Sequence, residues 1–425
     1  MLAAGQTARI QGIRREDARD ELLKMAQKEA SRKLIYYLSI IGFFAIFSTT
    51  ISKNPVLPLF AKSLGANAEL IGLIAALSPF AGILFGFPVG ILADKLGRKK
   101  MLFASGIIFV VGPLLYLLVN NPLYLIPIRF FHGLATAILG PIASTMISER
   151  YVKDRGEKLG LYSSATLVGR TIAPLLGGAI ISIFASLSGF WNYKLVYVFA
   201  SAISLIAFVF ILILHDDSAG KKTQLSAKEL LEHAKKVLKH KLIVATALVE
   251  MTIYFAFGAF ETYLPLYLND LKFAAYLIGI IFSLQTVSIA LTKPIFGRVA
   301  DRIDKRIQII FGLLLVGISI ALIPFFTHTY LLIAISLVFG LGMSFATVAT
   351  SAYTADVADK KQLGASLGAL SSIMDIGHTF GPFVVGLIIG TWSYKAGFVS
   401  CLALAAVIEV LFIMIAYGKA QKNAV

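Results

Sequence analysis

The sequence predicts an all-α membrane protein with twelve transmembrane helices in two pseudo-symmetric six-helix bundles. Three observations carry that prediction. The 425 residues are 58% hydrophobic and only 15% charged, with a mean hydropathy of +0.82, whereas soluble chains are about 45–50% apolar and about 25% charged. Twelve apolar segments each reach the roughly 20 residues that a helix needs to cross a bilayer. The two halves of the chain repeat one another. The composition excludes an ordinary soluble enzyme, a disordered chain and a coiled coil, and a single cysteine, Cys401, excludes a disulfide scaffold.

The apolar segments run, in order, over residues 34–60, 69–92, 101–119, 122–148, 159–184, 194–214, 242–268, 275–298, 307–326, 329–355, 363–390 and 394–418. A membrane barrel would show shorter, alternating segments. Pro55, Pro58, Pro174, Pro265 and Pro382 fall inside spans or near their ends, where a membrane bundle tolerates them. Residues 1–33 carry Arg14, Arg15, Glu16, Asp17, Arg19, Asp20 and Glu21 with no apolar core. They read as a tail, with span 1 as an uncleaved insertion signal. The longest connection, 215–241, contains a capping box, Ser226 to Glu229. Leu230, Leu231, Ala234, Val237 and Leu238 then follow at helical spacing among lysines. It is either a basic amphipathic helix at the membrane face or a flexible linker. The expected division is a tail (1–33), a six-helix bundle (34–214), a linker (215–241), a second bundle (242–418) and a tail (419–425).

Charge orients the spans. Of the 39 lysines and arginines, 31 fall in the two tails and the even-numbered loops. Lys53, Lys62, Lys194, Lys272 and Lys395 fall on the other side, and Arg129, Arg170 and Lys293 fall within spans. The positive-inside rule places both termini in the cytoplasm, in a plasma (inner) membrane. The net charge of +16 then reflects topology and contact with anionic lipid rather than nucleic-acid binding.

The repeat is specific. Leu57-Pro58-Leu59 recurs as Leu264-Pro265-Leu266, Ile71-Gly72 as Ile278-Gly279, and Gly90-x-x-Ala93-Asp94 as Gly297-x-x-Ala300-Asp301, all at an offset of 207. Gly133 falls on Gly340 and Glu149 on Asp356; at an offset of 208, Gly160 falls on Gly368, Gly169 on Gly377, Pro174 on Pro382 and Gly178 on Gly386. Two six-span repeats joined by a linker are a recurring plan of secondary transporters, with the substrate path between them.

Between spans 2 and 3 lies Gly90-Ile-Leu-Ala-Asp94-Lys-Leu-Gly97-Arg98-Lys99-Lys100, echoed as Gly297-Arg-Val-Ala-Asp301-Arg302-Ile-Asp304-Lys305-Arg306. This motif resembles the loop signature of the major facilitator superfamily, and the resemblance extends over about residues 34–418. It implies a latch in which Asp94 faces the start of span 11 and Arg98 pairs with Glu149. The repeat implies Asp301 near the start of span 5, and Lys305 or Arg306 with Asp356. Asp304 stands where the first copy has Gly97, which weakens that turn. Span 4 carries Arg129-Phe-Phe-His132-Gly133, similar to the family's span-4 motif with His132 in place of Gln. An Arg inside a membrane is costly and is expected to have a partner. Span 5 carries Gly160, Gly169, Arg170, Ala173, Pro174, Gly177 and Gly178. This resembles the motif of the family's drug:proton antiporters, or multidrug efflux members, with Ala173 where that motif has Gly. Its small residues allow close helix packing. Gly377, Gly381 and Pro382 do the same in span 11.

Span 7 carries Glu250 and Glu261, eleven residues apart and so on nearly the same face at about 100° per residue. Span 11 carries Asp375 near the midplane, with His378 one turn away as a neighbour able to share a proton. Burial favours the protonated form of a carboxylate, so Asp375 is the first candidate for proton coupling, with Glu250 and Glu261 next. Span 1 lacks the acid that many proton-coupled efflux relatives carry there. The substrate path is expected to include Arg129, His132, Arg170, Tyr254, Phe257 and Gln285, with the first half's bases paired to the second half's acids. No phosphate-binding loop, metal-ligand spacing or nucleophile–base set is present. The expectation is a secondary transporter without a cofactor, not an enzyme. It would work by alternating access and export small amphiphilic or drug-like compounds against protons. The alternative is an importer of a sugar or organic anion on the same fold. The expected partners are a small-molecule substrate, protons and membrane lipids, with no nucleic acid, and the protein is expected to work as a monomer.

Overall fold

The computed structural model describes residues 15–214, 239–358 and 363–418, with side chains from residue 33 onward except 87, 94, 363–365 and 369. The helix expected from Ser226 lies outside these residues. Span 1 is Arg15–Lys53, continued after a break by Val56–Ser63. Spans 2–6 are Ala68–Leu96, Arg98–Leu115, Leu125–Arg150, Arg155–Ile183 and Trp191–Ile213. Spans 7–12 are Lys241–Asp270, Ala275–Ala300, Lys305–Leu322, Thr329–Val357, Leu363–Thr391 and Tyr394–Gly418. Twelve helices among the described residues are long and apolar enough to cross a membrane. An even number of crossings puts Arg15 and Gly418 on one face of the bundle, here the terminal face; the other is the far face. Helix begins earlier than the apolar pattern indicates, at Arg15, because the Glu, Lys, Arg, Leu and Ala of this segment are good helix formers. The membrane-length apolar stretch begins only at Lys33.

Local chemistry sets the ends. Asn67 caps span 2 by accepting the Leu70 N–H at 3.0 Å. Gly97 turns the chain into span 3 at φ +94°, a conformation that suits glycine. The repeat copy is not a weaker version of this turn, as its Asp304 suggested. Asp304 has φ −61° and caps span 9, accepting the Arg306 N–H at 2.9 Å. A capping carboxylate replaces a left-handed glycine.

The two halves meet through glycines. A Cβ on Gly72 of span 2 would stand 3.1 Å from the Pro382 carbonyl carbon of span 11, and one on Gly279 of span 8 would stand 3.0 Å from the Pro174 carbonyl carbon of span 5. Gly386 lies against the Ala68 carbonyl and Gly178 against that of Ala275. These four contacts are two pairs related by the repeat, crossed between spans 2 and 11 and between spans 5 and 8. Tyr263 adds a hydroxyl that donates to Pro382 O at 2.7 Å and lies 3.0 Å from Ala68 O. Lys62 pairs with Asp270, which also accepts from the Tyr394 hydroxyl at 3.0 Å.

Eighteen residues from each of these glycines, about five full turns and so on the same face, stand Gly90, Gly297, Gly160 and Gly368 near the terminal face. Three of them would meet nothing within 4 Å, and Gly297 only Val348, at 4.0 Å. Among the described residues, every hydrogen bond and ion pair between the halves lies at mid-depth or toward the far face. The halves are sealed at the far face and part toward the terminal face, leaving a chamber between them.

Candidate functional site: a charged chamber between the halves

Glu261 holds the top of the chamber. It is 6% exposed. Lys53 Nζ donates to its Oε2 at 2.5 Å, Asn54 Nδ2 to its Oε1 at 2.6 Å, and His378 Nε2 lies 2.9 Å from Oε2. Lys53 and His378 are 3.2 Å apart. One carboxylate thus ties together spans 1, 7 and 11. Asn54 is the repeat counterpart of Glu261, at the 207 offset. Counterparts can touch only near the axis that relates the halves, so this knot sits close to the pseudo-twofold. A small cavity adjoins it toward the far face, lined by Lys53, Asn54, Leu57, Ile71, Ile74 and Thr262 among others.

Lys53 is assigned by the charge count to the outer side. It is instead the last residue of the first helix of span 1, 18% exposed in its side chain and enclosed between the halves. Asn54 and Pro55 interrupt the helix there, and Val56–Ser63 carries span 1 onward. The lysine therefore sits at a break within the span, not at its end.

The other acids are dispersed. Glu250, 5% exposed, accepts from the Thr350 hydroxyl at 2.5 Å, and the charge of Lys293 is within electrostatic reach. It shares the inward face with Glu261, but eleven residues of helix separate the two by about 16 Å. Asp375 is half-buried on span 11 and makes no ion pair among the described residues; a Cβ on Gly82 of span 2 would lie 3.9 Å from its Oδ2. His378 makes no hydrogen bond to the Asp375 side chain among the described residues. Three residues on a helix differ by about 60° in direction, which turns the imidazole to Glu261 and Lys53.

The bases do not pair with the acids as expected. Arg129 is 2% exposed and has no carboxylate partner among the described residues; its Nε and Nη1 find no acceptor. Lys53 and His378 already occupy the carboxylate of Glu261. His132 is fully buried in the first half, 6.0 Å from the Tyr116 ring, and so lies off the path. Gln285 is also off the path, at 1% exposure, with Nε2 3.9 Å from Met343 Sδ. Its backbone is where Gly340 packs, just as Gly133 packs on Ser78, the repeat counterpart of Gln285. Arg170 is exposed to the chamber. Its charge reaches Lys53, Tyr254, Lys293 and His378. Tyr254 and Phe257 bring their rings to 6.2 and 5.6 Å from His378.

At the terminal face Arg98, 8% exposed, grips Glu149 with both terminal nitrogens. Lys305 pairs with Asp356 at 2.8 Å. Arg306 turns instead to Asp304 at 2.7 Å, to the Ala416 carbonyl and to the Tyr417 ring. Each pair lies within one half, so neither spans the open mouth. Asp301 is exposed and makes no bond to span 5 among the described residues. The side chain of Asp94 and residues 359–362 before span 11 lie outside the described residues, and with them the expected contact there. Of the packing residues, a Cβ on Gly169 would stand 2.7 Å from the Phe43 carbonyl oxygen, Gly177 faces Ile51 and Val56, and Gly377 and Gly381 lie on the backbone of span 7. Gly160 packs on nothing in this arrangement, because the chamber is open at its level.

Comparison with known proteins accords with this architecture. The family model described as Major Facilitator Superfamily matches residues 38–284 and 268–424. The multi-drug resistance efflux pump PmrA homolog of Lactococcus lactis is 25% identical over 402 residues, covering 92% of this chain and 97% of that one. The quinolone resistance protein NorA of Staphylococcus aureus is 24% identical, covering 82% and 88%. An uncharacterised MFS-type transporter of Methanocaldococcus jannaschii is 23% identical, covering 79% and 86%. Among solved structures, the nucleoside transporter NupG superposes with a TM-score of 0.75 at 18% identity, over 90% of this chain and 98% of that one. A bacterial homolog of the lysosomal transporter Spinster, inward-facing and occupied, gives 0.74 at 14%, over 92% and 96%. With the family model covering both halves and twelve helices folded about a shared chamber, the chain belongs to the Major Facilitator Superfamily: it is an integral membrane transporter of small molecules, not an enzyme.

Proposed function

We propose that this protein is a proton-coupled exporter of small amphiphilic compounds that works by alternating access, with its terminal face in the cytoplasm. The Glu261 knot carries this reading. A single buried carboxylate, held by donors from spans 1 and 11, sits where the two halves join. Ionised, it neutralises Lys53 and ties the far face shut. A proton on Glu261 would leave Lys53 without a counter-charge, and a buried cation so stranded destabilises the sealed arrangement. The ionised knot therefore belongs to the state open to the terminal face. A protonated Glu261 belongs to the state open to the far face, where it has left Lys53. Cycling between them carries a proton inward, from far face to terminal face, and can drive a compound the other way.

Export is supported by the relatives named as multidrug efflux and resistance proteins and by the span-5 motif. The orientation is supported by the excess of Lys and Arg in the tails and even-numbered loops. Asp375 becomes the second candidate for coupling, since no partner among the described residues holds its side chain. Glu261→Gln keeps the shape and can still accept from Asn54, but cannot ionise. In proteoliposomes loaded with a pH-reporting dye, a compound panel should evoke proton flux in the wild type and none in Glu261→Gln, with compound binding still measurable. Wild-type proton flux in that variant would rule out Glu261 as the coupling group.

A further inference from the structure

We infer that the compound this transporter carries bears an anionic group, seated at Arg170 with its apolar body against Tyr254 and Phe257. The inference rests on the export reading above and names the chemistry of its substrate.

Arg170 lies at the middle of span 5, one turn from Pro174, whose carbonyl contacts span 8 in the far-face seal. A guanidinium at that depth is costly and ordinarily finds an acid within the bundle. This one is exposed to the chamber and makes no ion pair among the described residues. The acids have other arrangements. Glu261 is taken by Lys53, Asn54 and His378, and Glu250 accepts from Thr350. Asp375 points toward span 2 near Gly82. The groups that Arg170 does reach are Lys53, Lys293 and His378, all basic, together with Tyr254.

Lys293 extends the pattern. It lies on span 8 nearer the terminal face, is also exposed, and makes no ion pair among the described residues, although the charge of Glu250 reaches it. A compound entering from the terminal face passes Lys293 and arrives at Arg170. Tyr254 lies within reach of the Arg170 charge and 6.0 Å from the Phe257 ring, so an aromatic wall and a free cation adjoin. A carboxylate, sulfonate or phosphate accepts charge-assisted hydrogen bonds from a guanidinium. Because Arg170 and Lys293 belong to opposite halves, shutting the terminal mouth brings like charges together and strips their water. An anion between them removes that repulsion, so binding of the compound and closure of the mouth favour one another.

The test uses three probes with one apolar body, pyrenebutanoate, pyrenebutanol and pyrenebutyl-trimethylammonium, titrated against the full chain in nanodiscs of neutral lipid. The anion should bind at least tenfold tighter than the cation. Arg170→Gln and Lys293→Gln should each weaken the anion about tenfold, a loss of about 1.4 kcal/mol, without weakening the neutral probe. Arg170→Lys should restore most of the preference, which separates lost charge from lost folding. Equal or tighter binding of the cation, no binding of any probe, or an unchanged anion preference in both Gln variants would overturn the inference. Transport distinguishes the two levels. Anion-selective binding without movement of any probe in proteoliposomes would refute export and leave the site standing. Export of the cation in preference to the anion would refute the site and leave export standing.

Discussion

Gly279→Ala tests whether the glycine contacts hold the far face shut. The added methyl would stand 3.0 Å from the Pro174 carbonyl carbon and 3.2 Å from Leu175 Cα, where ordinary contact begins at 3.4 Å; the carbonyl oxygen is nearer still. Backbone cannot swing aside as a flexible side chain can, so spans 5 and 8 must part, by roughly 1 Å. Overpacking of this kind costs about 1–3 kcal/mol. The strain exists only while spans 5 and 8 touch, so it acts as a bias between two arrangements. Such a bias changes their ratio about 5–150-fold. Gly72→Ala should act likewise at the repeat-related contact, and the two should add, since they share no partner. Gly297→Ala, on the same face of span 8 but in the open chamber, should shift the ratio the other way or not at all. The assay is pulsed electron–electron distance measurement in a Cys401→Ala background. One spin-label pair would sit at Leu118 and Tyr330 on the far face, and a second at Val152 and Ile303 on the terminal face; all four residues are exposed. Gly279→Ala should lengthen the far-face distance and shorten the other. Unchanged distributions in both Gly72→Ala and Gly279→Ala would refute the reasoning.

Two further outcomes follow from the terminal face. Glu149→Gln removes the carboxylate charge that Arg98 grips. Because Glu149 is 36% exposed, the cost should be only about 1 kcal/mol, read as lowered thermal stability with the spin-label distances unchanged. Hydrogen bonds from Arg306 hold the Asp304 carboxyl below its ordinary range. Its ionised form therefore stabilises the fold above the usual carboxylate pKa, and that contribution fades as pH falls through the lowered value. Asp304→Asn keeps the helix cap, since Asn caps as well as Asp, and should flatten the acid limb of stability against pH below about 4; an unaltered acid limb would show that the pair contributes nothing.

What the sequence revealed followed the range of the physics. Span lengths and the repeat depend on local hydropathy and on glycines at fixed offsets, and apart from the early start of span 1 at Arg15 the helices fall within a few residues of the apolar segments. The acids of span 7 were visible as costly residues in an apolar stretch. Their partners were not, because Glu261 meets Lys53 and His378 across 208 and 117 residues of chain. Lys53 was misread because a lysine beside Asn-Pro looks like the water-exposed end of a helix. His132 and Gln285 looked like path residues because they are polar in a span. A single span's pattern does not say whether a polar side chain faces the chamber or a neighbour in its own half. The signal that could have located the knot was present: Asn54 and Glu261 are repeat counterparts, both polar, on an axis where counterparts must meet.

The eight glycines of spans 2, 5, 8 and 11 have a consequence for the cell. Each helix carries one bare surface near either end, on the same side and about 27 Å apart, and the helices between are continuous. Two continuous helices that touch at one end while splayed at the other cannot touch at the second by rigid rocking without letting go of the first. At the touching end backbone lies on backbone, with the Tyr263 hydroxyl bridging the two spans. No step of such a cycle requires a water-filled passage from one side to the other. The membrane voltage and the proton gradient are thereby preserved against leakage while cargo is moved.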